Sequence, residues 1–211
     1  MKKFKLTSEF IVDISGVKLF RIKALIEFGN VKAGDLGGYI EKEENLSHMG
    51  NAWVSGNARV SGNAQVFGDA WVFGDAQVSG NARVSGNARV SGDTQVFGDA
   101  RVFGNAWVSG NARVFGDAQV FGNARVSGDA QVFGDARVSG DKDYAYAHGF
   151  GSCNRTTTFF RLKDGDVGVR CGCFYGTLAQ FRDKVCETHG ETKKAQEYLM
   201  LADLMEIRFK N

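Results

Sequence analysis

The residues best suited to catalysis or metal binding are three histidines and four cysteines. His48 and His148 flank the central part of the chain and His189 lies near the end of a predicted helix, positions typical of solvated or capping residues rather than of a general base. Cys171-Gly172-Cys173 on a strand would place both sulfurs on one face, where Cys186 or His189 could complete a zinc site. That spacing matches no known zinc finger, and buried free cysteine is common. We therefore expect no bound metal and no cofactor, with the zinc site as the open alternative.

The element that must position any site is a repeat of six residues. From Gly50 to Ser139 the hexad Gly-(Asn/Asp)-Ala-(Arg/Gln/Trp)-Val-(Ser/Phe) occurs fifteen times without insertion or deletion, with one Thr in the Ala position. Ala and Val are two residues apart, so in a strand they share the inner face and the residue between them points outward. Such a unit can bury its apolar side chains only by stacking on copies of itself, which predicts a parallel β-helix.

The predicted fold class is mainly β: a left-handed parallel β-helix of about five regular coils with three sides of six residues each. Residues 1–49 are predicted to form a small β-rich N-terminal cap and an irregular first coil, in which Ile40 and Leu46 point inward. Residues 50–139 form the β-helix and residues 140–211 a ββαα cap. Within that cap we expect a hairpin over 156–174, a helix opened by a Thr177–Gln180 capping box, and a helix over 195–209 that buries Tyr198, Leu199, Ala202, Leu204 and Met205.

The hexads resemble those of the hexapeptide-repeat proteins, whose best-known members are acyltransferases. The left-handed coil is what this resemblance implies, as an exception to the right-handed crossover rule. Enzymes of that family use a histidine as general base and commonly a loop that protrudes between coils. This repeat contains no histidine and no loop, so we expect the protein not to be an enzyme.

The outward positions form columns when they are counted in steps of eighteen residues. All three tryptophans fall on one side, and a second side carries a column of phenylalanines. Two interpretations stay open for each column: an aromatic ladder that stiffens the prism, or an interaction surface, for which the amount of outward apolar and Arg side chain argues. The candidate binding residues are Trp53, Trp71, Phe73, Arg89, Trp107 and Arg125 on the first side and Phe97, Phe115 and Phe133 on the second.

Composition and charge exclude several function classes. With 43% hydrophobic and 24% charged residues and a net charge of +2 spread over all three regions, the chain is typical of a folded soluble protein without a basic patch. Generic nucleic-acid binding is therefore not expected. We find no membrane-spanning run and no signal peptide, so we expect reduced thiols and a cytoplasmic location.

The segments outside the repeat carry a second resemblance. Gly34-Asp35-Leu36-Gly37-Gly38-Tyr39-Ile40 before it, and Gly172-Cys173-Phe174, Gly176-Thr177-Leu178, Phe181 and His189-Gly190 after it, resemble proteins encoded by bacteriophages and prophages with the same three-part layout. We expect a non-catalytic binding protein that docks on a host protein or protein complex, as an inhibitor of a host defence system. The alternatives are a structural or self-assembling β-helix, for which a homo-oligomer would be expected, and a hexapeptide-type acyltransferase.

Overall fold

The structure is a computed structural model that describes residues 1–151 and 155–210, so that Cys153 lies outside the described residues. Each of the fifteen hexads forms one two-residue strand, and the strands are β4 (Trp53–Val54), β5 (Arg59–Val60), β6 (Gln65–Val66), β7 (Trp71–Val72), β8 (Gln77–Val78), β9 (Arg83–Val84), β10 (Arg89–Val90), β11 (Gln95–Val96), β12 (Arg101–Val102), β13 (Trp107–Val108), β14 (Arg113–Val114), β15 (Gln119–Val120), β16 (Arg125–Val126), β17 (Gln131–Val132) and β18 (Arg137–Val138). They confirm the predicted parallel β-helix.

The fifteen strands make three sides of a prism. Strands β4, β7, β10, β13 and β16 form the Trp side; β5, β8, β11, β14 and β17 form the Phe side; and β6, β9, β12, β15 and β18 form the third side. Each strand from β4 to β15 pairs in parallel with the strand eighteen residues further on, as in Val72 with Val90 and Val90 with Val108. The valines and alanines of the repeat are fully buried in one continuous core. Thr94, the one residue that replaces Ala, is buried too and donates its hydroxyl hydrogen to the carbonyl of Ser91 at 2.6 Å.

The corners depend on glycine and on the residue after it. Gly80 has a φ of +70°, and a Cβ built on it would lie 2.9 Å from the backbone nitrogen of Gly98 in the next coil. The left-handed angle thus falls on the glycine, and a larger residue would be strained and would push the coils apart. Where the next residue is Asn, its amide donates to the Asn or Asp one coil on, as from Asn111 Nδ2 to Asp129 Oδ1 at 2.9 Å. The asparagine side chain is thus long enough to reach the next coil directly.

The stack of coils has a polarity. Within the prism, the backbone N–H of the outward Arg, Gln or Trp of a hexad donates to the carbonyl of the Ala position in the following coil. Examples are Trp53 N to Ala70 O at 3.0 Å and Trp71 N to Ala88 O at 2.9 Å. The first regular coil therefore presents carbonyls without donors, and the last presents N–H groups without acceptors. Because buried backbone groups need partners, the two caps must supply opposite chemistry.

The N-terminal cap supplies donors. It contains the antiparallel strands β1 (Phe4–Val12) and β2 (Lys18–Ala24), followed by β3 (Leu36–Ile40), which pairs in parallel with β5. Buried Lys3 donates through Nζ to Gly50 O and Ala52 O, and buried Asn45 donates through Nδ2 to Gly62 O and Ala64 O.

The predicted irregular first coil is present in this cap. Ile40 pairs with Val60, Leu46 forms a parallel bridge with Val66, and both Ile40 and Leu46 are buried. A short 3₁₀ helix, Glu43–Asn45, lies between them. It brings Asn45 to the corner below the first regular coil.

The C-terminal cap supplies acceptors. Asp141 Oδ1 accepts from Arg125 N, Thr158 Oγ1 accepts from Gln131 N, and Asp143 Oδ2 accepts from Ser139 N, each at 2.9 Å. Both aspartates lie in a 3₁₀ helix, Asp141–Asp143, directly after the last strand of the prism. Two carboxylates and a hydroxyl thus accept from N–H groups of the last coil, whereas the Lys3 ammonium and the Asn45 amide donate to carbonyls of the first regular coil.

The rest of this cap is larger than predicted. It holds a four-stranded antiparallel sheet of β19 (Tyr144–Ala147), β20 (Thr157–Arg161), β21 (Val167–Cys171) and β22 (Phe174–Thr177), and the helices α1 (Leu178–His189) and α2 (Lys193–Phe209). The hairpin and the Thr177–Gln180 capping box are confirmed. The two short strands β19 and β22 were missed. Leu204, predicted to be buried, is 54% exposed because the sheet and α1 cover only the opposite face of α2.

A candidate binding groove on the Trp side

The Trp side carries the column that the sequence indicated. Its register places Trp53 beside Trp71, Trp71 beside Arg89, Arg89 beside Trp107 and Trp107 beside Arg125. The strand period fixes these five side chains on the outer face, one coil apart, at a strand spacing of roughly 4.8 Å.

Trp53 must be removed from the candidate surface. It is only 3% exposed, since the N-terminal cap covers it. The ring of Phe28 packs edge-on against its indole with centroids 5.4 Å apart, and a Cβ on Gly37 would lie 2.7 Å from Trp53 Cζ2. Trp53 therefore joins the cap to the prism and is not accessible to a partner. Trp107 is 39% exposed, and Trp71 is half-buried with one face against the core.

A groove of about 600 Å³ lies between the loop at Gly29–Asn30 and the Trp side. The loop, which precedes β3, lines one part of the groove, and four successive coils of the prism line the rest. Its lining combines aromatic rings, one guanidinium group, one carboxylate and several amides, supplied by Gly29, Asn30, Asn51, Ser55, Asp69, Trp71, Phe73, Asn87, Arg89 and Asn105.

The acid in this lining is compensated within the fold. Asp69 Oδ1 accepts from Asn51 N at 3.0 Å and from Asn51 Nδ2 at 2.8 Å. Its charge also acts on the buried ammonium of Lys3: burial lowers the pKa of Lys3 to about 8, and Asp69 opposes that shift. By contrast, Arg89 is exposed and has no ion pair within the described residues. The uncompensated charge of the groove is therefore positive.

The corner beside the groove presents a row of amides. Asn87 Nδ2 donates to Asn105 Oδ1 at 3.0 Å, and Asn105 Nδ2 donates to Asn123 Oδ1 at 3.1 Å. Each of these amides is exposed and has two N–H donors, of which the ladder uses one. The corner can thus donate further hydrogen bonds to a bound molecule.

The phenylalanines of the Phe side are packed on each other. Phe97 and Phe115 stack with ring centroids 4.8 Å apart and planes 9° apart, and Phe115 and Phe133 are 4.3 Å apart. Tyr175 of the C-terminal cap closes this ladder edge-on against Phe133, and the guanidinium group of Arg170 lies over both Phe115 and Phe133. This column has the contacts of a stiffening ladder. Over residues 1–151 and 155–210, neither Trp71, Phe73 nor Trp107 has a comparable ring partner.

The three histidines contact groups of the two caps. His48 Nδ1 accepts from Lys3 N at 3.1 Å, and its Nε2 lies 3.6 Å from Glu43 Oε2, so both ring nitrogens face groups of the fold. His148 contacts Thr156 Oγ1 at 2.9 Å, and His189 stacks on Tyr198 in the C-terminal cap. None of the three lines the groove on the Trp side.

The cysteines do not have the arrangement expected from the sequence. Cys171 ends β21 and pairs with Phe174, so Gly172 and Cys173 form the turn of a hairpin and the two sulfurs do not share one strand face. Cys171 Sγ accepts from Thr157 Oγ1 at 3.2 Å and donates to Tyr198 Oη at 3.7 Å. Among the described residues, no group of three or more His, Cys, Asp or Glu side chains is placed to hold a metal ion.

Comparison with known proteins identifies the repeat. The family described as YdcK Beta solenoid repeat matches seven overlapping segments, at residues 52–68, 64–80, 76–92, 82–96, 94–110, 106–120 and 118–132. All of them lie inside the prism and together they span less than half of the chain. The protein is thus a repeat β-helix protein by sequence as well as by structure. No curated protein matches the chain. Neither described helix has the length and apolar character needed to cross a membrane.

Proposed function

We propose that this protein is a non-catalytic binding protein that docks on a macromolecular partner through Trp71, Phe73, Arg89, Trp107 and Arg125. One observation carries the proposal. The rings of the Phe side stack on each other and on the C-terminal cap. By contrast, Trp71 and Phe73 line a groove, Trp107 is exposed on the same side, and none of the three has a ring partner in the described structure.

The composition of this surface supports a protein partner. Tryptophan and arginine dominate the binding energy of protein interfaces, because they bury a large area while keeping a polar group for directed contacts. The rigid prism holds them at fixed spacing, so little conformational entropy is lost on docking.

The partner that we propose is a host protein or protein complex in the bacterial cytoplasm. The protein would be encoded by a phage or prophage and would inhibit a host defence system by occupying its surface. The support for this role is the resemblance of the flanking segments to phage and prophage proteins, together with a surface suited to docking. This proposed role as an inhibitor depends on the docking proposal above.

Self-assembly and acyl transfer have less support. At both ends of the stack, side chains of the caps already pair with backbone groups of the terminal coil, which opposes end-to-end stacking of prisms. Strands β1, β2 and β3 extend the sheet of the Phe side, and β1, its outermost strand, is irregular between Leu6 and Phe10, a feature that disfavours edge pairing. For acyl transfer, no histidine lies in the groove. Purified protein should show no thermal stabilisation by acetyl-coenzyme A; saturable stabilisation would revive the enzyme hypothesis.

The docking proposal is tested with two double variants in a tagged pull-down from host lysate, accompanied by melting curves and light scattering. Trp71→Ala with Trp107→Ala should lose the partner that the wild type retains and stay folded. The matched control is Phe103→Ala with Phe121→Ala, which removes a stacked pair, with centroids 5.1 Å apart, from the third side; it should lower the melting temperature and keep the partner. Full binding by a folded Trp double variant would refute the proposal.

A further inference from the structure

The groove carries one positive charge that the fold does not compensate. Asp69 is hydrogen-bonded by Asn51 and faces the ammonium of Lys3. The amides of the neighbouring corner are neutral. Arg89 is thus the one charge of the groove lining that has no opposite charge of its own within the described residues.

The surroundings of Arg89 suit a carboxylate. Its register neighbours are Trp71 on one side and Trp107 on the other. Flanking indoles exclude water from a bound ion pair and so strengthen it, and the planar guanidinium group can donate two parallel hydrogen bonds to one carboxylate. Amide donors of Asn87 and Asn105 lie along the same corner, available to the carbonyls of a bound peptide backbone.

The far corner of the Trp side disfavours a polyanion. It carries the exposed aspartates Asp75, Asp93 and Asp129, which would repel the successive phosphates of a nucleic acid. A single carboxylate on Arg89 avoids this repulsion.

We infer that the groove receives a segment of a protein partner that places a single carboxylate on Arg89 and apolar atoms against Trp71 and Phe73. This inference rests on the proposed docking function and deepens it by naming the chemistry of the segment. In this arrangement Trp107 flanks the bound carboxylate on the side opposite Trp71.

The probe is a library of random peptides displayed on yeast and selected against the purified protein. Peptides enriched on the wild type should contain Asp or Glu next to an aromatic or aliphatic residue. Arg89→Gln should weaken the best of them by about ten- to a hundredfold, the range for a charged hydrogen-bonded pair, and added salt should weaken them further. Arg89→Lys, which keeps the charge and loses the paired donors, should recover part of the affinity. The matched control is Arg83→Gln, an exposed arginine of the third side, which should change nothing.

Three results would overturn the inference: no enrichment above background, enriched peptides without acidic residues, or binding that Arg89→Gln leaves unchanged. Tighter Arg89-dependent binding of a single-stranded oligonucleotide than of any peptide would also overturn it, in favour of a nucleic acid. The docking proposal is separable from all of these. If the Trp double variant loses the lysate partner while Arg89→Gln affects neither partner nor peptides, the inference fails and the docking function stands.

Discussion

Exchanging Asn45 for aspartate tests the polarity of the stack. The change is nearly isosteric and replaces the NH₂ group by an oxygen. Asn45 is fully buried, and its Nδ2 donates to Gly62 O at 3.1 Å and to Ala64 O at 2.9 Å. After Asn45→Asp, both carbonyls lose their donor and face a buried negative charge.

The expected loss is large. A buried polar group without a partner costs about 1–3 kcal/mol, and a buried charge without a partner costs about 3–5 kcal/mol. Because these costs overlap, we expect the free energy of unfolding to fall by about 4 kcal/mol or more, measured by urea unfolding followed by circular dichroism. The opposite exchange at the other end, Asp143→Asn, keeps an acceptor for Ser139 N and should cost only about 1 kcal/mol.

Two measurements make the Asn45 result decisive. The control is Asn123→Asp, at an exposed corner where the side chain accepts from Asn105 Nδ2 and an aspartate oxygen can do the same. In Asn45→Asp, burial should raise the pKa of the introduced carboxyl group, so the loss should shrink as the pH falls and the group becomes protonated. A loss within about 1 kcal/mol of that of Asn123→Asp, or one independent of pH, would refute the donor role of the N-terminal cap.

Three further predictions concern the core, the buried ammonium and the Phe side. Val90→Asp should cost several kcal/mol because it buries an unpaired charge, whereas Arg89→Ala on the same strand should stay within about 1 kcal/mol; equal melting temperatures for the two variants would contradict the inward register. Burial lowers the pKa of Lys3 from 10.5 to about 8, so between these values the unfolded chain holds the extra proton and the free energy of unfolding should rise with pH. Lys3→Met should remove that rise in melting curves collected across this pH range, and an unchanged slope would contradict the assignment. Phe115→Ala should cost about 1–3 kcal/mol, as it breaks ring contacts with Phe97 and Phe133, while partner retention in the pull-down stays intact; lost binding at full stability would move the interface to the Phe side.

Part of the candidate site could be predicted from the sequence because it depends only on the period. Counting in steps of eighteen residues placed Trp71, Arg89 and Trp107 in one column, and the register of the strands agrees. The same counting grouped Phe97 and Phe115, whose rings are stacked. Counting residues within the repeat cannot reveal contacts made by residues outside it.

Contacts from outside the repeat decided which of the predicted residues are accessible. Trp53 has the same hexad position as Trp71 and Trp107, yet Phe28 and Gly37 bury it. The groove exists because the Gly29–Asn30 loop stands beside the prism, and nothing in the hexads indicates that loop.

The sequence by itself determined the prism: its strands, its inward alanines and valines, and the column in which each outward side chain stands. A strict period of six allows this because each residue meets a copy of its own environment eighteen residues away. Only the tertiary structure decided how the prism ends, with Lys3 and Asn45 donating at one end and Asp141 and Asp143 accepting at the other. These contacts join residues from non-repeating segments to backbone atoms whose missing partners appear only once the coils are stacked.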